Sequence, residues 1–182
     1  RQVARELGKE VEVEIKGDNS EVDRTVLDRI IAPLEHMLRN AVAHGIELPA
    51  ARIAQGKKEA GLIVIDVDRE GADVVINVED DGAGINVKRI REKAIKQGLL
   101  KKDAEISDHD ALQLILQSGL STAEEVTQVA GRGVGMDVVD SEIKQLGGVL
   151  EIETMQGRGT IFHVRLPLTL AINQALLVSA SE

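Results

Sequence analysis

A central helix is predicted by the run Pro33-Leu34-Glu35-His36-Met37-Leu38-Arg39-Asn40-Ala41-Val42-Ala43-His44-Gly45. Pro33 suits the first helical position, where its missing N–H costs nothing, and Gly45 suits a left-handed residue just beyond the end. At about 100° per residue, the apolar side chains fall on one face of this helix. That face carries Leu34, Met37, Leu38, Ala41 and Val42.

The opposite face of the helix is polar, because His36, Asn40 and His44 recur there every four residues. A single His or Asn on a helix is also accounted for as an ordinary surface residue. The chain, however, supplies glycine-rich loops that can face this row. They are Asp81-Gly82-Ala83-Gly84, Gly131-Arg132-Gly133-Val134-Gly135 and Gly157-Arg158-Gly159-Thr160. Glycines let the backbone approach a ligand closely and expose N–H groups to phosphate, so these segments predict the walls of one nucleotide site.

Composition narrows the class of protein. With 182 residues, 43% of them hydrophobic, the chain suits one domain with a packed core, with or without a fragment of a second. Its net charge of −9 argues against a nucleic-acid surface, and no apolar run approaches the length of a membrane span. Cysteine is absent, which excludes disulfides, thiolate catalysis and Cys-based zinc sites and fits a reducing cytoplasm. A start at Arg1 rather than Met indicates an excised piece of a longer protein.

The hydrophobic periodicity predicts a two-layer α/β sandwich with a mixed, largely antiparallel sheet. Strands are predicted at 11–16, 62–67, 74–78, 149–154 and 160–166, and the second and third form a hairpin. Helices are predicted at 23–31, 33–44, 87–97, 110–117 and 136–146, with a loop containing a helical turn at 48–58. Residues 101–130 are predicted to form a mobile lid rather than core.

An adenine ring needs a hydrogen-bond acceptor for its exocyclic amine. Asp81 follows a strand and precedes two glycines, which suits that role, although an Asp-Gly pair is also an ordinary β-turn. Thr160 can support the same carboxylate directly or through a water. Phe162 is the only aromatic residue, so a bound purine would lie between aliphatic side chains and be recognised by hydrogen bonds.

Phosphate groups need N–H donors at the start of a helix, and Gly131 to Gly135 open the helix at Met136 in that way. The same glycines also suit a flexible hinge, and Met136 stands where a dinucleotide fingerprint has its third glycine. The amide oxygen of Asn40 is a reasonable Mg²⁺ ligand, and His36 can orient a water or accept a proton. Zinc held by His36 and His44 is a poor alternative, because their spacing is wrong.

Five motifs occur together in one order. They are His36-x-x-x-Asn40 with His44-Gly45-Ile46-Glu47, Asp80-Asp81-Gly82-Ala83-Gly84-Ile85, Gly119-Leu120-Ser121-Thr122-Ala123, Gly131-Arg132-Gly133-Val134-Gly135-Met136-Asp137-Val138-Val139, and Gly157-Arg158-Gly159-Thr160. In this order they resemble the ATP-binding domain of chemotaxis-type (CheA-like) histidine kinases, from about Val11 to Leu166. The family often carries Phe before the Ser-Thr pair, and Leu120 stands there in this chain.

The resemblance implies a Bergerat ATP-binding fold whose cofactors are ATP and Mg²⁺. It implies that Asp81 binds adenine, that Asn40 holds Mg²⁺ with His36 contributing through a water, and that His36 and Asn40 are catalytic. His44 would approach the phosphates, and a lid would close over them. The remaining nucleotide contacts implied are Gly82, Gly84, Ser121, Thr122, Gly131, Arg132, Gly133, Val134, Gly135, Met136 and Thr160. Residues 1–166 would form the catalytic domain, and 167–182 a linker and the start of an adaptor-like (CheW-like) regulatory domain.

The function implied is transfer of the ATP γ-phosphoryl group to a histidine of a separate phosphotransfer domain, for relay to a response regulator. An adaptor protein and a chemoreceptor array are the further partners implied, in the cytoplasm and without membrane insertion. The full-length protein is expected to be a homodimer and this chain a monomer. Two alternatives stay open: an ATPase of the chaperone or topoisomerase type, which would normally carry Glu in place of His36, and a non-catalytic nucleotide-binding scaffold.

Overall fold

The sheet is the frame on which the rest of the chain packs. The computed structural model describes residues 2–17, 24–117, 120 and 135–168. Within them a five-stranded sheet has the order β1-β2-β3-β5-β4. β1 runs parallel to β2, and the other neighbouring pairs are antiparallel, so the predicted mixed, largely antiparallel sheet is confirmed. The strands are β1 (Val11–Lys16), β2 (Gly61–Glu70), β3 (Asp73–Asp80), β4 (Val149–Met155) and β5 (Gly159–Pro167).

One face of the sheet is buried because apolar residues alternate along its inner strands. Every second residue of β2 and β3 is buried, and the two strands pair so that these residues share a face, as Ile65 does with Val78. The same alternation along β5 buries Phe162, Val164 and Leu166. Successive side chains of a strand point to opposite faces, so this pattern commits one whole face to the core.

Helices cover the buried face and complete the two-layer α/β sandwich, as predicted. Each of the three longer helices buries residues against the sheet, such as Ile30 and Met37 of α2, Ile90 of α4 and Ile143 of α6. The helices are α1 (Gln2–Glu6), α2 (Arg24–Asn40), α3 (Pro49–Ala54), α4 (Val87–Lys96), α5 (Asp108–Gln113) and α6 (Met136–Gln145).

The boundaries predicted for the central helix were wrong at both ends. Pro33 lies inside α2 rather than at its start. A proline inside a helix removes a hydrogen bond, but Ile30, Pro33 and Met37 form one buried stripe whose packing carries the helix across it. Gly45 does not adopt a left-handed conformation, because the helix ends where Ile46 becomes extended, with φ −71° and ψ 129°.

The stretch expected to be a lid contributes to the core instead, as far as the structure describes it. Helix α5 and a 3-10 turn at Leu114–Leu116 place Leu112 and Ile115 in the apolar cluster, and Leu120 is fully buried there. The side-chain amide of Gln113 also donates to the Ile152 carbonyl at 2.8 Å and ties this region to β4. Residues 121–130 of the predicted lid lie outside the described residues.

The C-terminal end of the sheet stops close to the predicted domain limit. β5 ends at Pro167, and the N–H of Leu168 donates to the carbonyl of Ala72 at 2.9 Å. Of the predicted linker, residues 169–182 lie outside the described residues. In the part of the chain that is described, no helix combines the length and apolar character needed to cross a membrane.

Leu112→Ala tests whether α5 belongs to the core. Removing this buried side chain leaves a cavity, so we expect the free energy of unfolding to fall by about 2–5 kcal/mol in urea denaturation. Leu99→Ala, at a side chain that is 44% exposed, is the matched control and is expected to change stability by less than about 0.5 kcal/mol. Equal effects of the two substitutions would contradict the placement of α5.

Candidate functional site

Helix α2 passes directly into a wider, π-helical turn at Ala41–Gly45. There the N–H of Ile46 donates to the carbonyl of Ala41 at 2.8 Å, a five-residue spacing. Such turns concentrate at functional sites in helices. The Nζ of Lys9 donates to the carbonyls of Val42 and Ala43, each at 2.8 Å. The wider turn changes the direction of His44 from the one that a regular helix would give it.

Gly45 and Gly82 bring two loops into direct backbone contact. A Cβ added to Gly82 would lie 2.2 Å from the carbonyl oxygen of Gly45, and one added to Gly45 would lie 3.1 Å from both carboxylate oxygens of Asp80. The N–H of Ala83 donates to the Gly45 carbonyl at 2.9 Å. Close approach therefore requires the glycine at position 82, and a side chain at position 45 would crowd the Asp80 carboxylate. The contact joins the end of the π-helical turn to the end of β3.

Asp80 is a buried carboxylate at this contact. It is 3% exposed, and its Oδ1 accepts a hydrogen bond from the N–H of Gly82 at 2.9 Å. The pKa of Asp80 is raised overall from 3.8 to about 6: burial raises it most and the charges of Asp81 and Glu47 also raise it, while hydrogen bonds from the Gly82 and Thr160 backbones lower it. Titratable groups with strongly shifted pKa values cluster at functional sites.

Asp81, the residue predicted to bind adenine, already accepts hydrogen bonds from other protein groups with both carboxylate oxygens. Its Oδ2 accepts from the Arg52 Nη2 at 2.8 Å, and its Oδ1 accepts from the N–H of Leu62 at 2.9 Å. Both oxygens therefore bind protein groups that lie behind the loop. The sequence carried a signal for the neighbouring residue, because Asp80 is in phase with the buried Val74, Ile76 and Val78 of β3.

The turn between β4 and β5 forms a third wall of the same region. Asp80 pairs with Thr160 in the sheet, and the Oγ1 atoms of Thr160 and Thr154 lie 3.2 Å apart. Thr154 also accepts from the N–H of Ile85 at 2.8 Å, and the N–H of Gly157 donates to the Ala83 carbonyl at 2.7 Å. The loop that follows Asp80 is thus fixed from both sides, with Gly84 at a positive φ of 72°.

The polar side of α2 faces helix α6. The Nδ2 of Asn40 donates to the Sδ of Met136 at 3.1 Å, and the Nδ1 of His36 lies 3.4 Å from the Oε2 of Glu142. Neither of the latter two atoms has a hydrogen-bond partner in the described part of the chain, although both are buried. Although His44 is exposed, packing around its imidazole and the charge of Lys9 lower its pKa.

The structure brings together part of the predicted site. Gly82 and Thr160 meet at Asp80, and Gly84 lies against the turn between β4 and β5. His36, Asn40 and Met136 meet at the α2–α6 contact. Gly135 precedes α6, and the Val138 N–H donates to its carbonyl at 3.1 Å. The predicted contacts Ser121, Thr122, Gly131, Arg132, Gly133 and Val134 lie outside the described residues.

Sequence reasoning missed three ionic residues next to these loops. Glu47, Arg52 and Lys57 pair with one another and with Asp81 at the back of the site. The segment around α3 was predicted only as a loop containing a helical turn. Nothing in its polar composition indicates that Arg52 is fully buried. Among the described residues, no group of three or more His, Cys, Asp or Glu side chains could hold a metal ion.

Comparison with known sequences identifies related proteins. Residues 29–170 match the family described as "Histidine kinase-, DNA gyrase B-, and HSP90-like ATPase". The whole chain is 44% identical to the chemotaxis protein CheA of Bacillus subtilis and covers 27% of its length. It is 45% identical to CheA of Klebsiella aerogenes and covers 28% of that protein. The sensor histidine kinase CheAY of Helicobacter pylori is 44% identical, with 23% of its length covered.

Comparison with solved structures supports the fold. The catalytic domain of histidine kinase ThkA aligns with a TM-score of 0.55 at 22% identity, over 92% of this chain and 84% of that one. The histidine kinase domain of the blue-light activated kinase from Erythrobacter litoralis aligns with a TM-score of 0.51 at 18% identity, over 92% and 60%. At these identities the likeness concerns the fold alone. The chain spans about a quarter of the curated relatives it matches.

Asp80→Asn tests the cost of the buried carboxylate. Between pH 3.8 and about 6 the folded state keeps a proton that the unfolded state has lost, so stability falls as the pH rises through this window. We therefore expect the variant to gain up to about 3 kcal/mol over the parent chain above pH 6, and little near pH 4. Urea denaturation from pH 4 to 8 measures this, with the exposed Asp103→Asn as the control. A difference that does not vary with pH would contradict the burial cost.

Proposed function

Because the chain belongs to the histidine kinase-, DNA gyrase B- and HSP90-like ATPase family and is a CheA-like ATP-binding domain within it, we propose that it catalyses phosphoryl transfer from ATP to a protein histidine. The acceptor histidine belongs to a separate phosphotransfer domain, from which a response regulator takes the phosphoryl group. In the same proposal the full protein is a cytoplasmic homodimer whose partners include an adaptor protein and a chemoreceptor array. For this chain by itself we propose a monomer.

The observation that carries the proposal is the buried carboxylate of Asp80 beside two glycines. A carboxylate in a dry pocket accepts a hydrogen bond from an exocyclic amine, and the glycine at position 45 keeps a side chain away from both carboxylate oxygens of Asp80. We assign the adenine contact to Asp80 instead of Asp81, because the Asp81 oxygens already accept from Arg52 and Leu62. Thr160 supports Asp80 through its backbone N–H.

The residues at the α2–α6 contact suit the phosphate end of the nucleotide. The Asn40 amide donates through its nitrogen to Met136, so its oxygen is the atom left for a hard cation such as Mg²⁺. No described residue donates a hydrogen bond to that oxygen. Mg²⁺ bound there supplies charge neutralisation on the phosphates. Because no carboxylate cluster is present among the described residues, Asn40, waters and the phosphates themselves would make up its ligands.

His36 is the group that we assign to the proton. The attacking nitrogen of the acceptor imidazole must be free of its proton when it bonds to the γ-phosphorus and ADP leaves. The His36 imidazole has two ring nitrogens that can take up a proton, and its Nδ1 lies 3.4 Å from the Glu142 carboxylate. His36 can therefore accept that proton or orient a water that does so. His44 follows Asn40 and Gly135 precedes Met136, so both lie at the Asn40–Met136 end of this contact, where they complete the proposed phosphate wall.

An ATPase of the chaperone or topoisomerase type is the second candidate, and nothing in the site favours it. Such an enzyme would release phosphate to water without a protein acceptor. Incubation of the chain with Mg·ATP and a supplied phosphotransfer domain separates the two reactions. Label on the acceptor histidine supports the kinase, whereas phosphate release alone supports the ATPase and neither product supports a scaffold.

Asp80→Asn and Asp81→Asn separate the two neighbouring carboxylates. Loss of a buried acceptor costs about 1–3 kcal/mol, so we expect Asp80→Asn to weaken ATP binding about 10- to 100-fold. Asp81→Asn leaves the Asp80 carboxylate in place but removes a charged partner of the buried Arg52, so we expect a smaller loss of ATP affinity together with a lower stability of the fold. Isothermal calorimetry with Mg·ATP at pH 8 measures both affinities. The assignment fails when Asp81→Asn is the variant with the larger loss.

His36→Gln separates binding from chemistry. Glutamine keeps a hydrogen-bonding side chain and removes the titratable ring, so we expect ATP affinity within a few-fold and phosphotransfer slower by about 10²–10⁴. The rate is measured at saturating Mg·ATP over a range of pH, and His109→Gln on the exposed face of α5 is the matched control. A rate equal to that of the parent chain would show that His36 only lines the site.

A further inference from the structure

A cluster of four charged side chains lies behind the loop that carries Asp80. Glu47 directly follows the π-helical turn and Ile46, Arg52 belongs to α3, Lys57 follows α3, and Asp81 is next to Asp80. The Arg52 side chain has no exposed surface, and that of Glu47 is 9% exposed. Charged side chains are rarely buried without partners, so this cluster requires an account.

Arg52 joins the two sides of the site. Its Nη1 lies 2.9 Å from the Glu47 Oε2, and its Nη2 lies 2.8 Å from the Asp81 Oδ2. The Nε donates to the Lys58 carbonyl at 2.8 Å, which fixes the plane of the guanidinium. One buried fork therefore links the residue after the π-helical turn to the loop after β3.

Lys57 binds the backbone of the same loop. Its Nζ donates to the Asp81 carbonyl at 2.9 Å, to the Gly82 carbonyl at 2.8 Å and to the Glu47 Oε1 at 2.6 Å. Gly82 is the residue whose N–H donates to the Asp80 carboxylate. Lys57 thus fixes the peptide that orients Asp80, without touching the pocket itself.

The cluster also sets the charges that Asp80 experiences. Glu47 and Asp81 are the carboxylates whose charges raise the pKa of Asp80, and each has a cation within 3 Å. Burial raises the pKa of Glu47, but the hydrogen bond from Lys57 and further interactions with Lys57 and Arg52 lower it overall, so Glu47 is held ionised. Lys9 adds a further electrostatic contact to Glu47. Asp80 itself forms no ion pair with any described residue.

We propose that Lys57, with the buried Arg52, is a positioning residue for the nucleotide site: it clamps the 80–82 loop against the π-helical turn, and the two cations together offset the charges of Glu47 and Asp81. The inference rests on the proposed function in one respect, because Asp80 is taken as the adenine contact. Without the cation at Lys57, Glu47 would act on Asp80 with only partial compensation. Asp80 would then hold its proton to a higher pH and lose its capacity as a charged acceptor.

The test exploits opposite charges at one ion pair. Lys57→Met removes a cation and Glu47→Gln removes an anion from the same contact. We expect the titration midpoint of the Asp80 carboxyl to rise by about 0.5–1 pH unit in Lys57→Met and to fall by a similar amount in Glu47→Gln. The double variant should return to within about 0.3 pH unit of the parent chain. Carbon-13 NMR of the nucleotide-free 182-residue chain measures the midpoint.

The neighbouring exposed residues provide matched controls. Lys58→Met and Glu59→Gln make the same charge changes one or two positions along the chain, and we expect the Asp80 midpoint to be unchanged in both. ATP affinity gives the second readout. Lys57→Met should bind ATP more weakly than the parent at pH 8.5, because the 80–82 loop loses its clamp, and about two- to threefold more weakly still at pH 6.5, where more of Asp80 is protonated.

Two results would overturn the inference. The first is an Asp80 midpoint that moves in the same direction in Lys57→Met and Glu47→Gln, and the second is a midpoint that moves in neither variant. Either result would show that the ion pair stabilises the fold without setting the charge state of Asp80. If Lys57→Met does not fold, Glu47→Gln still tests the inference, because the Asp80 midpoint must fall in that variant. A parent chain that binds no ATP would reject the proposed function alone, since the NMR titration needs no nucleotide.

Discussion

The backbone contact between Gly45 and the Gly82 loop is the constraint on which the site depends. It holds the end of α2 against the end of β3 with no side chain between them. Because the two backbones meet, the carboxylate of Asp80 is enclosed and loses most of its water. A buried carboxylate without a cation lowers the stability of the fold, and such costs are retained where recognition of a ligand needs them.

Most of the fold could be predicted from the sequence, because the apolar residues of each element repeat with the spacing of either a strand or a helix, and not with both. Alternation in β2 and β3 gave the hairpin, and the pairing of Ile65 with Val78 follows from the short turn at residues 71–72. The position of β1 was harder to anticipate. Its pairing partner is β2, far along the chain, and the parallel register begins with Val11 opposite Gly61.

The sequence predictions and the structure differ where one residue or one tertiary contact decides the outcome. Asp80 and Asp81 are both acidic, and only the strand phase, a step of one residue, places the first inside and the second against Arg52. Pro33 was predicted to begin a helix because the local preference of proline for that position is visible in the sequence. The packing of the stripe through Ile30 and Met37 is not visible there. A turn such as Ala41–Gly45 has no signature in a single sequence, since it differs from a regular helix by one hydrogen-bond step.

The parallel pairing of β1 with β2 bears on the order of folding. β2 and β3 are joined through residues 71–72, and β4 and β5 through residues 156–158, so both hairpins close over short loops. β1 reaches β2 only after a crossover at 17–60 that carries α2, the π-helical turn and α3. Closing a longer loop costs more entropy, and distant pairings form more slowly. The pairing of β3 with β5 spans a still greater separation in sequence, and it places Thr160 opposite Asp80 in the sheet. A refolding chain therefore completes the Asp80 pocket, and with it acquires affinity for nucleotide, only after most of its sheet has formed.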